Sequence, residues 1–175
     1  ILAAMVWLDS LPLWINDDAG MTLMQARSVL RRKCSEFNKF AADGTPIQRV
    51  GLAQFDYLQL MIGDDDQSRE AEVSSISKGL KRLAKELRIP VEALVQLNRK
   101  LEDRDCKRPK KSDIRDSGSI EQDADRILFL HRAWSYLSKE KQISAPEHVR
   151  KMVEVIIDKN RHGPTATVPV WFEDY

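Results

Sequence analysis

Residues 50–61 most restrict what this chain can fold into. The run is mostly apolar, too short for an ordinary helix, and interrupted by the carboxylate of Asp56. Such a run predicts a buried parallel strand with Asp56 at its C-terminal end. In open α/β sheets, ligands collect beyond the carboxyl ends of the strands.

Asp56 is therefore the first candidate for a functional residue. Phosphoryl-transfer proteins place an aspartate at a strand end, where it holds the Mg²⁺ that bridges the nucleotide phosphates. This pattern makes Asp56 a candidate Walker B metal ligand. Many strands also end in Asp because a loop or a helix cap begins there, so the neighbouring segments must decide between the two interpretations.

Composition excludes several function classes. The 175 residues suit one domain, and charged residues, 31% of the chain, nearly cancel to a net charge of +1. A globally basic surface for nucleic acid is excluded, so any contact with DNA must be regional. Cys34 and Cys106 lie far apart without metal-binding spacing, which is typical of a reducing cytoplasm.

The N-terminal sequence carries no targeting signal that we can identify. It lacks the basic region of a signal peptide, and no apolar run approaches the roughly 18 residues of a membrane span. The chain begins at Ile1, inside an apolar pattern and without Met. We therefore expect a soluble protein with further residues upstream.

The other segments alternate between strand and helix patterns. We predict strands at residues 11–15, 91–95, 126–131, 152–159 and 166–172, and helices at residues 23–37, 70–87 and 119–123. The strand, helix and strand over residues 50–95 imply a parallel pair. Gln96 then lies at a strand end, as Asp56 does, and Gly163 with Pro164 forms the turn of a C-terminal hairpin. Residues 41–48 are predicted to form a loop.

Residues 101–118 are polar and basic. Four cations lie close together there, namely Lys107, Arg108, Lys110 and Lys111. A segment of this composition cannot bury enough apolar surface to become ordered, so we predict a mobile loop. On charge alone, a solvated loop is the commoner interpretation of such a run.

Five short segments carry more specific information. They are residues 56–61 (DYLQLM), 83–87 (LAKEL), 96–99 (QLNR), 112–125 (SDIRDSGSIEQDAD) and 159–164 (KNRHGP). In this order they closely resemble the C-terminal motor domain of replicative DNA helicases of the DnaB type. The resemblance extends from about residue 7 to residue 172, and five ordered motifs are specific where one would be weak. It implies a single RecA-like ATPase domain over residues 1–175, N-terminally incomplete, with a mainly parallel sheet, flanking helices and a C-terminal antiparallel hairpin.

The resemblance also implies roles for single residues. Asp56 matches the Walker B aspartate that holds the Mg²⁺ of ATP, and Gln96 matches the glutamine that senses the γ-phosphate. Lys159 and Arg161 match residues that reach the nucleotide of the neighbouring subunit, with Arg161 as the arginine finger.

A second set of matches concerns DNA. Arg115, Asp116 and Gly118 match a loop that lines the central channel and grips the DNA backbone. The basic residues just before this loop, Lys107, Arg108, Lys110 and Lys111, therefore become candidate DNA contacts as well. The sequence contains no G-x-x-x-x-G-K-[ST] phosphate loop, so we expect these 175 residues alone not to hydrolyse ATP.

The favoured hypothesis is the motor domain of a bacterial or phage replicative helicase. It implies ATP and Mg²⁺ as cofactors, single-stranded DNA and a homo-hexameric ring as partners, primase and a helicase loader as further partners, and a place at the cytoplasmic nucleoid. A second hypothesis is a RecA-like ATPase of recombination or repair, which would lack the motif at residues 115–125. A third is a non-catalytic interaction module that keeps the fold.

Overall fold

The computed structural model describes residues 2–63, 68–115 and 118–173. Its helices are α1 (Leu2–Asp9), α2 (Leu23–Phe37), α3 (Arg69–Leu87), α4 (Gly118–Asp123), α5 (Lys139–Ser144) and α6 (Glu147–Lys151). Its strands are β1 (Lys39–Phe40), β2 (Pro46–Gln48), β3 (Ala53–Phe55), β4 (Val91–Ala93), β5 (Arg126–His131), β6 (Met152–Asn160) and β7 (Ala166–Trp171). Within these ranges, no helix combines the length and hydropathy needed to span a bilayer.

The two long helices form where the apolar periodicity places them. Thr22 caps α2 and exchanges hydrogen bonds with Gln25 in a capping box. Ser68 caps α3, which buries Val73, Ile76, Leu80 and Leu83 on one face. Arg88 ends α3 in the left-handed conformation, with φ of 53°. The predictions for both helices are confirmed.

The parallel pair is present but shorter than predicted. β3 pairs with β4 from Ala53 opposite Val91 to Phe55 opposite Ala93. Of the predicted strand that ends at Asp56, only residues 53–55 pair with β4 and residues 50–52 lie outside the strand. Beyond Asp56 the chain forms a 3-10 turn over Leu58–Leu60. The apolar side chains of Leu58 and Met61 enter the core from that turn, which explains an apolar run longer than the strand.

The C-terminal half contains a three-stranded antiparallel sheet in the order β5-β6-β7. β5 alternates exposed and buried residues, and Ile127 and Phe129 join the core that surrounds α3. β6 and β7 are the predicted C-terminal hairpin. The α/β class and the C-terminal antiparallel hairpin are as predicted, whereas the sheet is not mainly parallel among the described strands, because only β3 and β4 pair in parallel.

Two predictions for the N-terminal part are corrected, and one helix there was not predicted. Residues 11–15 form no strand, and in the described structure no neighbouring strand supplies them with a hydrogen-bonded ladder. The preceding residues form α1, which the sequence did not predict. Residues 41–48 are not all loop, because β1 and β2 pair antiparallel across residues 41–45. Gly63 and the three aspartates after it predict an acidic turn at residues 63–66, and this segment lies mostly outside the described residues.

The basic segment is the largest correction. Residues 101–115 are held in place, with a 3-10 turn over Lys111–Asp113 and a buried Pro109. Arg104 binds the buried carboxylate of Asp113 through two hydrogen bonds, at 2.9 and 3.1 Å. Charge pairing therefore orders a segment whose composition alone predicts a mobile loop.

Candidate functional site

Asp56 lies where the structure turns at the end of the parallel pair. It follows β3 directly and its side chain is exposed. The chain on either side stays hydrogen-bonded to the neighbouring segment, because Leu94 donates to the carbonyl of Phe55 and Leu58 donates to the carbonyl of Leu94, both at 2.9 Å. The backbone on both sides of Asp56 is thus held at the carboxyl edge of the β3–β4 pair, which is the predicted position of this residue.

A shallow cleft of about 310 Å³ opens beside this edge. Its lining residues are Tyr57, Leu94, Val95 and Gln96, so Gln96 lines a depression that also contains Tyr57, the residue that follows Asp56. The backbone amide of Gln96 donates to Oε1 of Gln59 at 3.3 Å. The buried Nε2 of Gln59 has no hydrogen-bond partner among the described residues. Gln59 belongs to the DYLQLM segment, yet sequence reasoning gave it no role.

Gln96 also contacts the predicted DNA loop. The amide of Arg115 donates to the carbonyl of Gln96 at 3.3 Å, and the amide of Asn98 donates to the carbonyl of Asp113 at 2.7 Å. Between them, Leu97 and Ile114 form an antiparallel bridge. The predicted sensor segment and the predicted DNA loop are therefore two paired stretches of one small ribbon.

The Arg104–Asp113 pair holds this ribbon in shape. Asp113 is 8% exposed, and its carboxylate also accepts the amide of Lys110 at 2.9 Å. The guanidinium of Arg104 donates in addition to the carbonyl of Arg108 at 3.0 Å. Sequence reasoning missed this pair, although Asp113 lies inside the motif at residues 112–125.

The four predicted basic contacts differ in their surroundings. Arg108 pairs with Glu154 and donates to the hydroxyl of Thr167 at 3.0 Å, and Lys111 lies 3.7 Å from Asp158. The ammonium of Lys107 lies 5.9 Å from the ring centre of Tyr136, whereas Lys110 is exposed. Two of the four charges are thus offset by carboxylates of β6.

The remaining DNA-loop residues can be placed in part. Arg115 is exposed at the end of the ribbon, and Gly118 is the first residue of α4. Asp116 lies outside the described residues, so its predicted role is not addressed by the structure.

The two predicted trans-acting cations lie together at the end of β6. Nζ of Lys159 donates to the carbonyl of Glu121 at 2.5 Å, and Nη2 of Arg161 donates to the carbonyl of Gln122 at 3.0 Å. Nη1 of Arg161 lies 3.3 Å from the carboxylate of Asp125. Both cations therefore bind the residues that end or follow α4.

The electrostatics of this corner centre on Asp125. A hydrogen bond from Lys81, reinforced by the charges of Lys81, Arg161 and His162, lowers the pKa of the Asp125 carboxyl. The group thus stays ionised beside Arg161. Elsewhere, burial lowers the pKa of His131, with the charge of Glu154 opposing the shift and that of Arg108 adding to it.

The arrangement of acidic side chains determines which kind of metal site the described residues could form. The described residues contain no group of three or more His, Cys, Asp or Glu side chains that could enclose a metal ion. Asp56 fits a different arrangement, in which one carboxylate holds Mg²⁺ and phosphate and water oxygens supply the other ligands. An exposed carboxylate at the carboxyl edge of a parallel pair suits that arrangement.

A parallel pair that ends at Asp56, flanking helices and a C-terminal antiparallel sheet are features of a RecA-like fold. The chain belongs to the family described as DnaB-like helicase C terminal domain, whose model matches residues 1–175. This membership confirms the predicted family and the RecA-like fold. It favours the first hypothesis over the second, a recombination or repair ATPase.

Individual relatives agree with the family match. The chain is 44% identical over 165 residues to the replicative DNA helicase DnaB of Leifsonia xyli, covering 93% of this chain and 32% of that protein. It is 40% identical over 171 residues to the replicative DNA helicase DnaC of Bacillus subtilis, covering 97% of this chain and 34% of that protein. The chain thus spans about a third of the length of these relatives.

A solved structure extends the likeness to three dimensions. A DnaB-like replicative helicase, described together with its interactions with primase, superposes with a TM-score of 0.82 at 37% identity. The match covers 98% of this chain and 38% of that one. The fold of the described residues is therefore that of a helicase ATPase domain.

Proposed function

We propose that this chain is part of the motor domain of an ATP-dependent replicative DNA helicase, and that residues 1–175 form a single unit of that domain. In the whole protein the motor would translocate on single-stranded DNA and unwind the duplex at the replication fork, in the cytoplasm at the nucleoid. The observation that carries the proposal is the continuous backbone connection from the Asp56 edge through Gln96 to Arg115. A motor needs such a connection because nucleotide state and DNA grip must change together.

On the nucleotide side, the proposal assigns Asp56 to the Mg²⁺ of MgATP. The metal, when bound, neutralises charge that develops on the phosphates during transfer. Gln96 lines the cleft beside Asp56. Its neutral amide can donate to or accept from a phosphate or a water without a charge penalty. Since the sequence has no phosphate loop, these residues complete a site rather than form one.

On the DNA side, the proposal assigns the grip to Arg115, Asp116 and Gly118. An exposed guanidinium can bind a phosphate through two hydrogen bonds, and a glycine lets backbone N–H groups approach closely. Lys107 and Lys110 add positive potential nearby. The charges of Arg108 and Lys111 are partly offset by Glu154 and Asp158, so we assign these two residues a smaller electrostatic share and a larger structural one.

The proposal further includes a homo-hexameric ring in which Lys159 and Arg161 act on the nucleotide of the adjacent subunit. Support comes from their position, because both lie where β6 ends and both bind carbonyls in the last turn of α4. Primase is a proposed partner because a solved relative is described with its interactions with primase. A helicase loader is proposed on the family resemblance alone.

DNA-stimulated ATP hydrolysis by the full-length protein, compared with the Asp56→Asn variant, tests the proposal. We expect hydrolysis that rises with single-stranded DNA and is lost in the variant, whose fold is checked by circular dichroism. Hydrolysis at the parent rate by Asp56→Asn would contradict the assignment. Failure of the parent to respond to DNA would instead favour the interaction module.

A further inference from the structure

Both predicted trans-acting cations rest on the carbonyl end of one short helix. Lys159 donates to the carbonyls of Glu121 and Gln122, at 2.5 and 3.4 Å, and Arg161 donates to that of Gln122 at 3.0 Å. Carbonyls in the last turn of a helix have no partner within the helix, and they attract cations. The end of α4 therefore fixes where both cations lie in their own subunit.

Asp125 also contacts Arg161, through both its carboxylate and its backbone carbonyl. Its Oδ1 lies 3.3 Å from Nη1 of Arg161, and its backbone carbonyl accepts the Arg161 amide at 2.8 Å. Its Oδ2 pairs with Lys81, which lies on α3. The guanidinium is thus held at both terminal nitrogens, by Gln122 and by Asp125, and the carboxylate that holds it is tied to the central helix of the core.

The opposite end of α4 is the predicted DNA loop. Gly118 is both the first residue of α4 and the last residue of that loop, and the amide of Arg115, three positions earlier, donates to the carbonyl of Gln96. α4 packs on α3 through the buried Ile120, and Ser77 donates to the carboxylate of Asp123 at 3.0 Å. About one turn of helix thus separates Gly118 from the carbonyls that hold Lys159 and Arg161.

We propose that α4 transmits the state of the DNA loop to the trans-acting cations, and that Asp125 is the positioning residue that orients Arg161 toward the neighbouring subunit. DNA contact at Arg115 would shift the start of α4, and the carbonyls at its end would carry Lys159 and Arg161 with them. This inference rests on the proposed function, since it takes Arg161 as a finger acting in trans. It adds a route from DNA on one subunit to hydrolysis at the next.

The first test compares Asp125→Asn with Lys81→Met in the full-length ring. Both substitutions break the Lys81–Asp125 ion pair, but only Asp125→Asn weakens the contact with Arg161. We expect Asp125→Asn to lower kcat on the order of tenfold or more, as loss of a hydrogen bond to a charged group does, with KM for ATP nearly unchanged. Lys81→Met should keep a kcat within about twofold of the parent. Thermal unfolding should show similar losses of stability for both, so stability could not explain the difference in kcat.

The second test places glycine in α4. Gln122→Gly and Gln122→Ala remove the same exposed functional group and keep the backbone carbonyl, but glycine loosens the helix. We expect the ratio of DNA-stimulated to unstimulated hydrolysis to fall severalfold more for Gln122→Gly than for Gln122→Ala. Equal ratios would overturn α4 as the transmitting element.

Mixed rings separate this inference from the proposed function. Rings mixed from Asp125→Asn and Asp56→Asn subunits should regain part of the lost hydrolysis. At some of their interfaces an intact Asp56 lies next to an Arg161 whose contact with Asp125 is intact. If Arg161→Ala lowers hydrolysis severely while Asp125→Asn behaves like Lys81→Met, the inference is wrong and the proposed function stands. If Arg161→Ala hydrolyses ATP at the parent rate, the proposed trans-acting role of Arg161 and the inference that rests on it are both wrong.

Discussion

The amide of Arg115 donates a hydrogen bond to the carbonyl of Gln96 at 3.3 Å. The residue predicted to hold DNA and the residue predicted to sense the nucleotide are thus joined by backbone atoms. No side chain needs to change for one to follow the other. A displacement of either segment moves its partner, because the ribbon also contains the Leu97–Ile114 bridge and the bond from Asn98 to Asp113.

Arg115→Ala in the full-length protein should therefore weaken single-stranded DNA binding about equally for all sequences. The salt slope of binding should fall by less than about one counterion per subunit, since one phosphate contact is lost. ATPase should become uncoupled from DNA. Binding isotherms at several salt concentrations and ATPase titrations with DNA measure these effects.

Lys110→Ala is the matched control for Arg115→Ala. Lys110 is an exposed cation five positions earlier in the same segment, and its loss should mainly slow association while leaving stimulation by saturating DNA in place. If instead Lys110→Ala loses stimulation and Arg115→Ala keeps it, the basic segment is the true grip and the assignment of Arg115 is wrong.

The Arg104–Asp113 pair should determine the stability of the ribbon in the 175-residue chain itself. Arg104→Gln leaves a carboxylate that is 8% exposed without its guanidinium, so the free energy of unfolding should fall by about 1–3 kcal/mol. Arg82→Gln, the same change at an exposed position of α3, should cost less than about 0.5 kcal/mol. Urea denaturation of both variants and the parent measures the difference, and equal midpoints would contradict the role given to the pair.

The periodicity of apolar residues was sufficient to predict the helices and strands that have one regularly buried face. α3 and β5 were predicted almost to the residue. The spacing of apolar residues along a helix with one buried face, or along a strand with alternating burial, identifies the element from its own sequence. The apolar run around Asp56 misled for a tertiary reason. Leu58 and Met61 are buried from a turn, and no pattern in a single sequence distinguishes that turn from a longer strand.

Contacts between distant residues account for the rest. The order of the basic segment depends on Arg108 reaching Glu154, 46 positions away, and composition cannot foresee such a pair. The residues of the candidate site also fall into those that the sequence predicted and those that only the structure revealed. Motif resemblance supplied Asp56, Gln96, Lys159 and Arg161, whereas the groups that position them, among them Asp125, became visible only in three dimensions.

His131 should make stability depend on pH. Its pKa lies below the ordinary 6.5, chiefly because of burial. As pH falls through 6.5, the unfolded chain takes up the proton first, so the free energy of unfolding falls until the pH has passed below the folded pKa. His131→Phe keeps a ring to stack on Tyr136, whose centre lies 5.7 Å away. The variant should therefore lose less stability than the parent between pH 7.5 and acid, measured by denaturation at several pH values, and parallel curves would contradict this.

The trans role of Arg161 leads to the last prediction. Arg161→Ala in the full-length ring should lower ATP hydrolysis by roughly 10³-fold or more, as for arginine fingers in general, because the cation stabilises charge on the transferring phosphate. Rings mixed from Arg161→Ala and Asp56→Asn subunits make the sharper experiment. Each type lacks a different half of the site, so interfaces that place an intact Asp56 next to an intact Arg161 should recover part of the activity. Hydrolysis that does not depend on the mixing ratio would place Arg161 in the site of its own subunit or in no site, and in the second case its bonds to Gln122 and Asp125 would be structural contacts.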